Sequence, residues 1–434
     1  MSAKKKNSRK AVVVGGVRTP FVKAFTQFTK LDTIALGVAA VEALLTKTAV
    51  SRQELDQIVW GGVIIPSASP NVAREISLDL RLPSRVQGHT VIQACASGLQ
   101  AITSAAATIE RGDADAIIAG GSDSTSNAEI KLPQKVVHAL APMAFGKASP
   151  ADMLGVMAQL WPIHELLPQK PRIAERTTGL TMGQSAEEMA VRNEITRQAQ
   201  DELAERSHLR AAAAIESGRF DDEVAPVKTP EGRWVERDTL VRGDTSVEKL
   251  SRLRPVFSRN GTLTAGNSSP LTDGAAAVLL MSEHKARELG YTGLVHVSSW
   301  AYEGVDPADQ LLMGPALAMP KVLDRAGYRL ADMDFVDMHE AFAAQVLCVL
   351  KMLGSKAFAQ ARLDRDEAVG EVDADRFNVH GGSVAIGHPF GATGARMVNT
   401  MANELRLTGK RRALLGLCAA GGIGGAALLE RLED

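Results

Sequence analysis

A chain of 434 residues exceeds what one simple hydrophobic core accommodates, so two or three cores are expected. Hydrophobic residues at 45% and charged residues at 23% fit an ordinary soluble globular protein, and a net charge of −1 excludes a global field that would draw in nucleic acid. Cys95, Cys348 and Cys418 are odd in number and far apart, which excludes a disulfide framework and a CxxC metal site and makes a reducing, cytoplasmic setting the default.

The basic run Lys4, Lys5, Lys6, Arg9 and Lys10 reads as a solvated leader, without the apolar stretch of a secretory signal. The first strand covers residues 11–14 and closes on a turn at Arg18-Thr19-Pro20. Apolar residues at helical spacing predict a helix over 31–46. Ser51, with Glu54 three residues on, has the form of a helix start ahead of a strand over 57–60. A short strand at Val91-Ile92 runs into Gln93-Ala94-Cys95-Ala96-Ser97-Gly98, where a long Ala-rich helix opens. The strand over 116–119 ends in Gly120-Gly121-Ser122-Asp123. Strands alternating with helices predict a parallel or mixed sheet covered on both faces.

Between residues 127 and 250 the pattern changes to charged, proline-broken sequence with helical pieces such as 196–217. The last third then repeats the early order: a strand over 294–297, a helix over 320–326, and a segment over 330–337 that echoes 55–59. A Gly-rich turn into a helix follows over 381–396, then a strand over 413–417. The reading is an α/β protein of two topologically similar βα halves, 1–126 with 251–283 and 284–434, and an inserted, mostly helical loop domain, 127–250. Segments 86–109 and 413–429 carry no formal charge, but polar residues interrupt the first and glycines the second, so neither reads as a membrane span.

Three segments carry chemistry. Cys95 lies between a strand and a helix N-terminus, where N–H groups and the helix dipole would lower a thiol pKa; a buried core cysteine is the alternative. Segment 381–396, GGSVAIGHPFGATGAR, bends tightly around His388, whose imidazole could serve as a general base; it lacks GK[ST] and GxGxxG, so it is no nucleotide loop. Segment 418–425, CAAGGIGG, suits an oxyanion hole built from backbone N–H groups, or simply a turn between two core strands.

QACASG, HEAFA, GGSVAIGHPFGATGAR and CAAGGIGG, in this order, together with TMGQSAEEMA and AGNSSPLTDGAAA, resemble the thiolase family over nearly the whole chain from Ala11 to Glu430. His339-Glu340-Ala341-Phe342-Ala343, where most thiolases place Asn first, is most similar to the degradative 3-ketoacyl-CoA thiolase (β subunit) of trifunctional fatty-acid oxidation complexes.

That resemblance implies two halves stacked as αβαβα layers. It implies cleavage of 3-ketoacyl-CoA by CoA to acetyl-CoA and a shortened acyl-CoA in β-oxidation, with CoA as substrate and neither cofactor nor metal. It assigns Cys95 as the nucleophile, His388 as its base and Cys418 as the acid and base at the departing enolate and incoming thiol. One oxyanion hole falls to His388 and a water held by His339, the other to the N–H groups of Cys95 and Ala420. Met182 matches the acyl end, Ala265 and Ser269 the pantetheine arm, and Arg242 the ADP portion. Cys348 matches no motif and reads as core. A homodimer or dimer of dimers is implied, with a hydratase/dehydrogenase α subunit as partner.

Alternatives are a biosynthetic acetoacetyl-CoA thiolase, which would share the same residues, and a non-catalytic thiolase-like lipid-binding protein, which should have lost Cys95, His388 or Cys418. Segment 150–168 places Met153, Leu154, Val156, Met157, Leu160 and Trp161 largely on one helical face, a candidate surface for core, acyl tunnel, partner subunit or peripheral membrane contact.

Overall fold

The computed structural model describes residues 9–144, 146, 167 and 174–433. Segment 150–168 therefore lies outside the described residues, Leu167 excepted, as does most of the basic leader. Arg9 and Lys10 are described, and they pair with Asp115 and Glu283. Ala128–Ala174 forms one compact unit, within which Gln134–Ala144 is helical. The described residues on either side of it form a second, larger unit.

The larger unit holds the strands β1 (Ala11–Arg18), β2 (Val22–Lys23), β3 (Gln57–Gly61), β4 (Gln87–Val91), β5 (Ala116–Ser124), β6 (Val227–Lys228), β7 (Trp234–Val235), β8 (Thr272–Ser282), β9 (Val295–Gly304), β10 (Phe335–Met338), β11 (Arg412–Ala419) and β12 (Ile423–Arg431). Its main sheet runs β10-β11-β12-β9-β1-β8-β5-β3-β4. The repeat read in the sequence is visible in this order. In the first half β4 and β5 flank β3 in parallel, and β8 and β1 follow antiparallel. In the second, Phe377 bridges β10 in parallel, β11 flanks it in parallel, and β12 and β9 follow antiparallel. The halves join where β1 meets β9, at Val12↔His296 and Val13↔Val295.

Burial explains why most of these strands read as continuous apolar runs. On β5, Ile117 and Ala119 join a core containing Leu99, Ile102, Val398 and Leu405, whereas Ala116 and Ile118 join another with Leu36, Leu44 and Ile76. On β11, Leu415 and Leu417 face the first of these cores and Leu414 faces a third, with Met319 and Val322. Both faces of each half-sheet are thus covered, and the helices Ser97–Arg111 and Gly391–Thr408 pack between them. Each fully buried Leu or Ile contributes about 1.5–3 kcal/mol relative to exposure. β4 breaks this rule: it is the sheet edge and only half buried, which is why its sequence is a weak strand signal.

Local signals mostly hold. Thr196 caps the helix Arg197–Glu216, and Thr181 forms a full capping box on Met182–Arg192. Ser51 caps only a three-residue turn, Arg52–Glu54, because β3 must begin at Gln57.

Two glycines let the central helices cross. A Cβ on Gly98 would lie 2.2 Å from the carbonyl oxygen of Gly391, and one on Gly394 2.4 Å from the amide nitrogen of Leu99. Each helix N-terminus therefore presses on the other. That contact brings the loop before the first helix, which carries Cys95, to the loop before the second, which carries His388.

Candidate active site

Cys95 sits two residues ahead of the helix Ser97–Arg111. The turn is held open at Ala94, whose φ of 47° is left-handed and costs a non-glycine residue about 1–2 kcal/mol. Ser97 offsets this cost. Its hydroxyl accepts the Gln93 N–H at 2.8 Å and donates to the Ala94 carbonyl at 2.7 Å. The loop before the partner helix is built likewise: Phe390 has φ 21°, and the His388 N–H donates to Thr272 Oγ1 at 3.0 Å.

These loops and two strand ends converge. Sγ of Cys95 and one ring nitrogen each of His339 and His388 lie within 4.8 Å of one another. The two imidazoles are 4.1 Å apart, centroid to centroid. His339 follows β10 directly, where its N–H donates to the Gly416 carbonyl. Cys418 lies on β11 opposite Gly424, buried and near enough to Cys95 that a charge on one would disfavour a charge on the other. The turn after it directs the Ala420 N–H to Cys95. CAAGGIGG is thus both a turn between core strands and a donor to the thiol.

One expectation fails. Burial pushes the Cys95 thiol up to about 11, the Asp123 carboxylate adds to the rise, and the N–H groups of Ala420 and Cys95 only partly offset it. A helix start does not outweigh desolvation here, so the resting residue is a thiol. Burial also takes His388 down to about 3, helped by Arg396, and His339 well below its usual value, so both imidazoles are neutral. Each charge alone is penalised, whereas a thiolate and an imidazolium formed together at this separation would stabilise one another. Proton transfer from Cys95 to His388 as a pair is the chemistry this arrangement allows.

The ring nitrogens are differently engaged. Nδ1 of His388 is 2.6 Å from Thr393 Oγ1, and Nδ1 of His339 is 2.9 Å from Ser383 Oγ. Among the described residues Nε2 of each is buried without a partner. With Nδ1–H given to Thr393, Nε2 of His388 keeps its lone pair for a proton. Burial holds the Cys418 thiol well above its usual value, so it keeps its proton at neutral pH.

Ser383, Thr393, Thr272 and Asp123 went unread in the sequence. Ser383 and Thr393 stand five residues either side of His388 inside the Gly-rich motif, a spacing that could have exposed them. Asp123 carried no such signal. It is buried, raised to about 7 by desolvation, and accepts the N–H groups of Val63, Ile64 and Gly391.

The remaining candidates lie at varying distance from this cluster. The Ser269 N–H donates to the Ala341 carbonyl, Ser268 bridges Phe342, and Leu271 bridges His388, so the segment through Ser269 borders the site. Ala265 is exposed at the start of that segment. Met182 is half-buried against the core that contains Cys418. Arg242 is exposed, its backbone N–H bonded to His208. Cys348 is core, as expected: buried, within 3.4 Å of the Met189 carbonyl and raised to about 12.

Comparison with known proteins follows the same outline. The thiolase N-terminal domain matches residues 11–284 and the thiolase C-terminal domain residues 291–431. The chain is 43% identical over 427 residues to a 3-ketoacyl-CoA thiolase of Photobacterium profundum, covering 98% of each. The crystal structure of the Bacillus anthracis acetyl-CoA acetyltransferase superposes with a TM-score of 0.82 at 33% identity, covering 98% of this chain and 99% of that one. Human mitochondrial 3-ketoacyl-CoA thiolase in complex with CoA gives 0.80 at 30% identity, covering 98% of both. On these matches and this fold, the chain belongs to the thiolase family.

Proposed function

We propose that this protein is a 3-ketoacyl-CoA thiolase, an acetyl-CoA C-acyltransferase that cleaves 3-ketoacyl-CoA with CoA in fatty-acid β-oxidation. The observation that carries the reading is the meeting of Cys95, His388 and His339 within 4.8 Å, with the Ala420 N–H on Cys95. Relatives named 3-ketoacyl-CoA thiolase, at 43% identity over 98% of the chain, support the degradative direction over the biosynthetic one.

In this reading Cys95 Sγ attacks the 3-keto carbon as its proton passes to Nε2 of His388. The oxyanion takes hydrogen bonds from His388 and from a water held by His339. The C2–C3 bond breaks, Cys418 gives its proton to the acetyl-CoA enolate, and the acyl group remains on Cys95. Cys418 then takes the proton of an incoming CoA thiol, which attacks the thioester while the N–H groups of Cys95 and Ala420 hold the second oxyanion. The unpartnered Nε2 atoms and the protonated state of Cys418 favour these roles. Ala265 and Ser269 would line the pantetheine arm, Met182 the acyl end and Arg242 the ADP portion. We also assign to it a homodimer or dimer of dimers, and the division into two thiolase halves, 1–126 with 251–283 and 284–434, around a loop domain over 127–250. A thiolysis assay over acyl chains of increasing length tests the function. Turnover limited to acetoacetyl-CoA would overturn the degradative reading in favour of an acetoacetyl-CoA thiolase, and none at any length would remove the enzyme altogether.

A further inference from the structure

We infer that Cys95, His339 and His388 form a binding site for a soft divalent cation, Zn2+ by its chemistry, and that occupancy shuts the enzyme off. Three observations carry this beyond simple proximity. The donor set is one thiol and two imidazoles, the combination that selects zinc over magnesium or calcium. Among the described residues Nε2 of both histidines is buried without a partner, and one ring nitrogen of each histidine lies within 4.8 Å of the sulfur. The opposite nitrogen of each ring is already held by a hydroxyl, Ser383 for His339 and Thr393 for His388. Zinc sites use that same outer support to fix the imidazole and turn its lone pair towards the metal.

Geometry is close to what a metal requires. Ligands at about 2.0–2.3 Å from zinc stand roughly 3.3–3.7 Å apart in a tetrahedron. The three donors here already lie within 4.8 Å of one another, so a contraction of about 1 Å or slightly more would bring them to that spacing. Cys95 is the one member that is not fully buried, which leaves a path for the ion and a fourth position for water or a substrate thiol. Binding forms the S–metal bond as the thiol proton leaves to solvent, and the imidazoles, already neutral, lose none. His339 is decisive, since an amide side chain there would leave only two good zinc ligands.

Inhibition rests on the acyl-transfer reading above, whereas binding does not, and the two are separable. Titrating the full, chelator-treated chain with Co2+ as a spectroscopic probe should give one equivalent with a thiolate-to-cobalt charge-transfer band that Zn2+ abolishes. Cys95→Ala should lose the band. His339→Asn should weaken metal affinity by more than about tenfold, since losing a direct ligand costs at least what losing an outer supporting group costs metal sites. Its own thiolysis rate, whatever its size, should then resist Zn2+ levels that silence the parent. Zn2+ should also protect Cys95 of the unaltered chain from iodoacetamide, a readout that needs no variant. Equal Co2+ affinity in Cys95→Ala, or alkylation of Cys95 that Zn2+ does not slow, overturns the site. A metal-free chain that binds Co2+ through Cys95 but performs no thiolysis keeps the site and overturns the acyl-transfer reading.

Discussion

The two halves of the larger unit use the same three strand ends for different purposes. In the first half only the loop after β4 carries a reactive group, Cys95. The loop after β3 supplies the Val63 and Ile64 N–H groups, and β5 supplies Asp123, which gathers both amides and the Gly391 N–H into one buried anchor. In the second half all three corresponding places bear chemistry: His339 after β10, His388 in the loop before the second central helix, and Cys418 with Ala420 at the end of β11. On the proposed acyl-transfer reading, one half therefore holds the nucleophile on a buried frame, and the other surrounds it with proton carriers and donors. A repeated topology gives matched positions, and side-chain identity alone decides which become functional.

The strongest way to break that division is at its single first-half member. Cys95→Ala should abolish acyl transfer while CoA binding survives, because only the nucleophile is lost. Mass spectrometry after addition of 3-ketoacyl-CoA should find the acyl group on Cys95. Label on Cys348 or Cys418 would reverse the roles of the halves. On the second-half side, Cys418→Ser should slow turnover by about 10²–10⁴-fold, since a hydroxyl is a far weaker acid in the same place. A rate within threefold of the parent would remove Cys418 from proton transfer.

A gentler effect probes the frame itself. With the folded Cys95 raised to about 11, its thiolate fraction in the substrate-free chain should climb about tenfold per pH unit from neutral upward. Alkylation of Cys95 by iodoacetamide should follow that slope through pH 10, and Cys348, raised further and buried, should stay inert. The sign matters for stability too. A thiol pKa raised on folding means the folded state keeps its proton where the unfolded chain has lost it. Stability from this group is therefore constant below about pH 9 and falls as pH rises between about 9 and 11. A plateau in alkylation by pH 8 would show that a thiolate–imidazolium pair already exists at rest.

Much of this was legible in the sequence because the chemistry sits on local punctuation. Cys95 and His388 each stand just before a helix start, in loops marked by glycine or small residues, and the strand–loop–helix order repeats. Continuous apolar runs such as residues 413–417 announced strands buried on both faces. What stayed hidden depends on distance in sequence or on environment. No local pattern says that Gly98 meets Gly391, that Asp123 binds amides from both halves, or that Ser383 supports His339. The lowered thiol pKa expected at the helix start fails for the same reason. Helix-start position is local and readable, whereas burial is a property of the assembled core, and it dominates here.

The smallest predicted effect tests the least conventional member of the second half. His339 is fully buried, neutral, tilted against His388 with ring centroids 4.1 Å apart, and held at Nδ1 by Ser383, with Nε2 unpartnered among the described residues. His339→Asn keeps a polar group able to hold a water near the oxyanion but withdraws the ring from His388. Losing an oxyanion donor outright costs about 10²–10³ in kcat. Exchanging one holder of that water for another should cost less, about tenfold or below, and should appear in kcat more than in KM, because the contact strengthens only as negative charge develops. The comparison needs a folded variant, and the small loss of volume at a buried site makes a matched thermal unfolding curve the proper control. Complete loss of activity in a folded His339→Asn protein would give this histidine a role beyond positioning a water. The second half would then supply a third proton carrier or a direct contact to substrate.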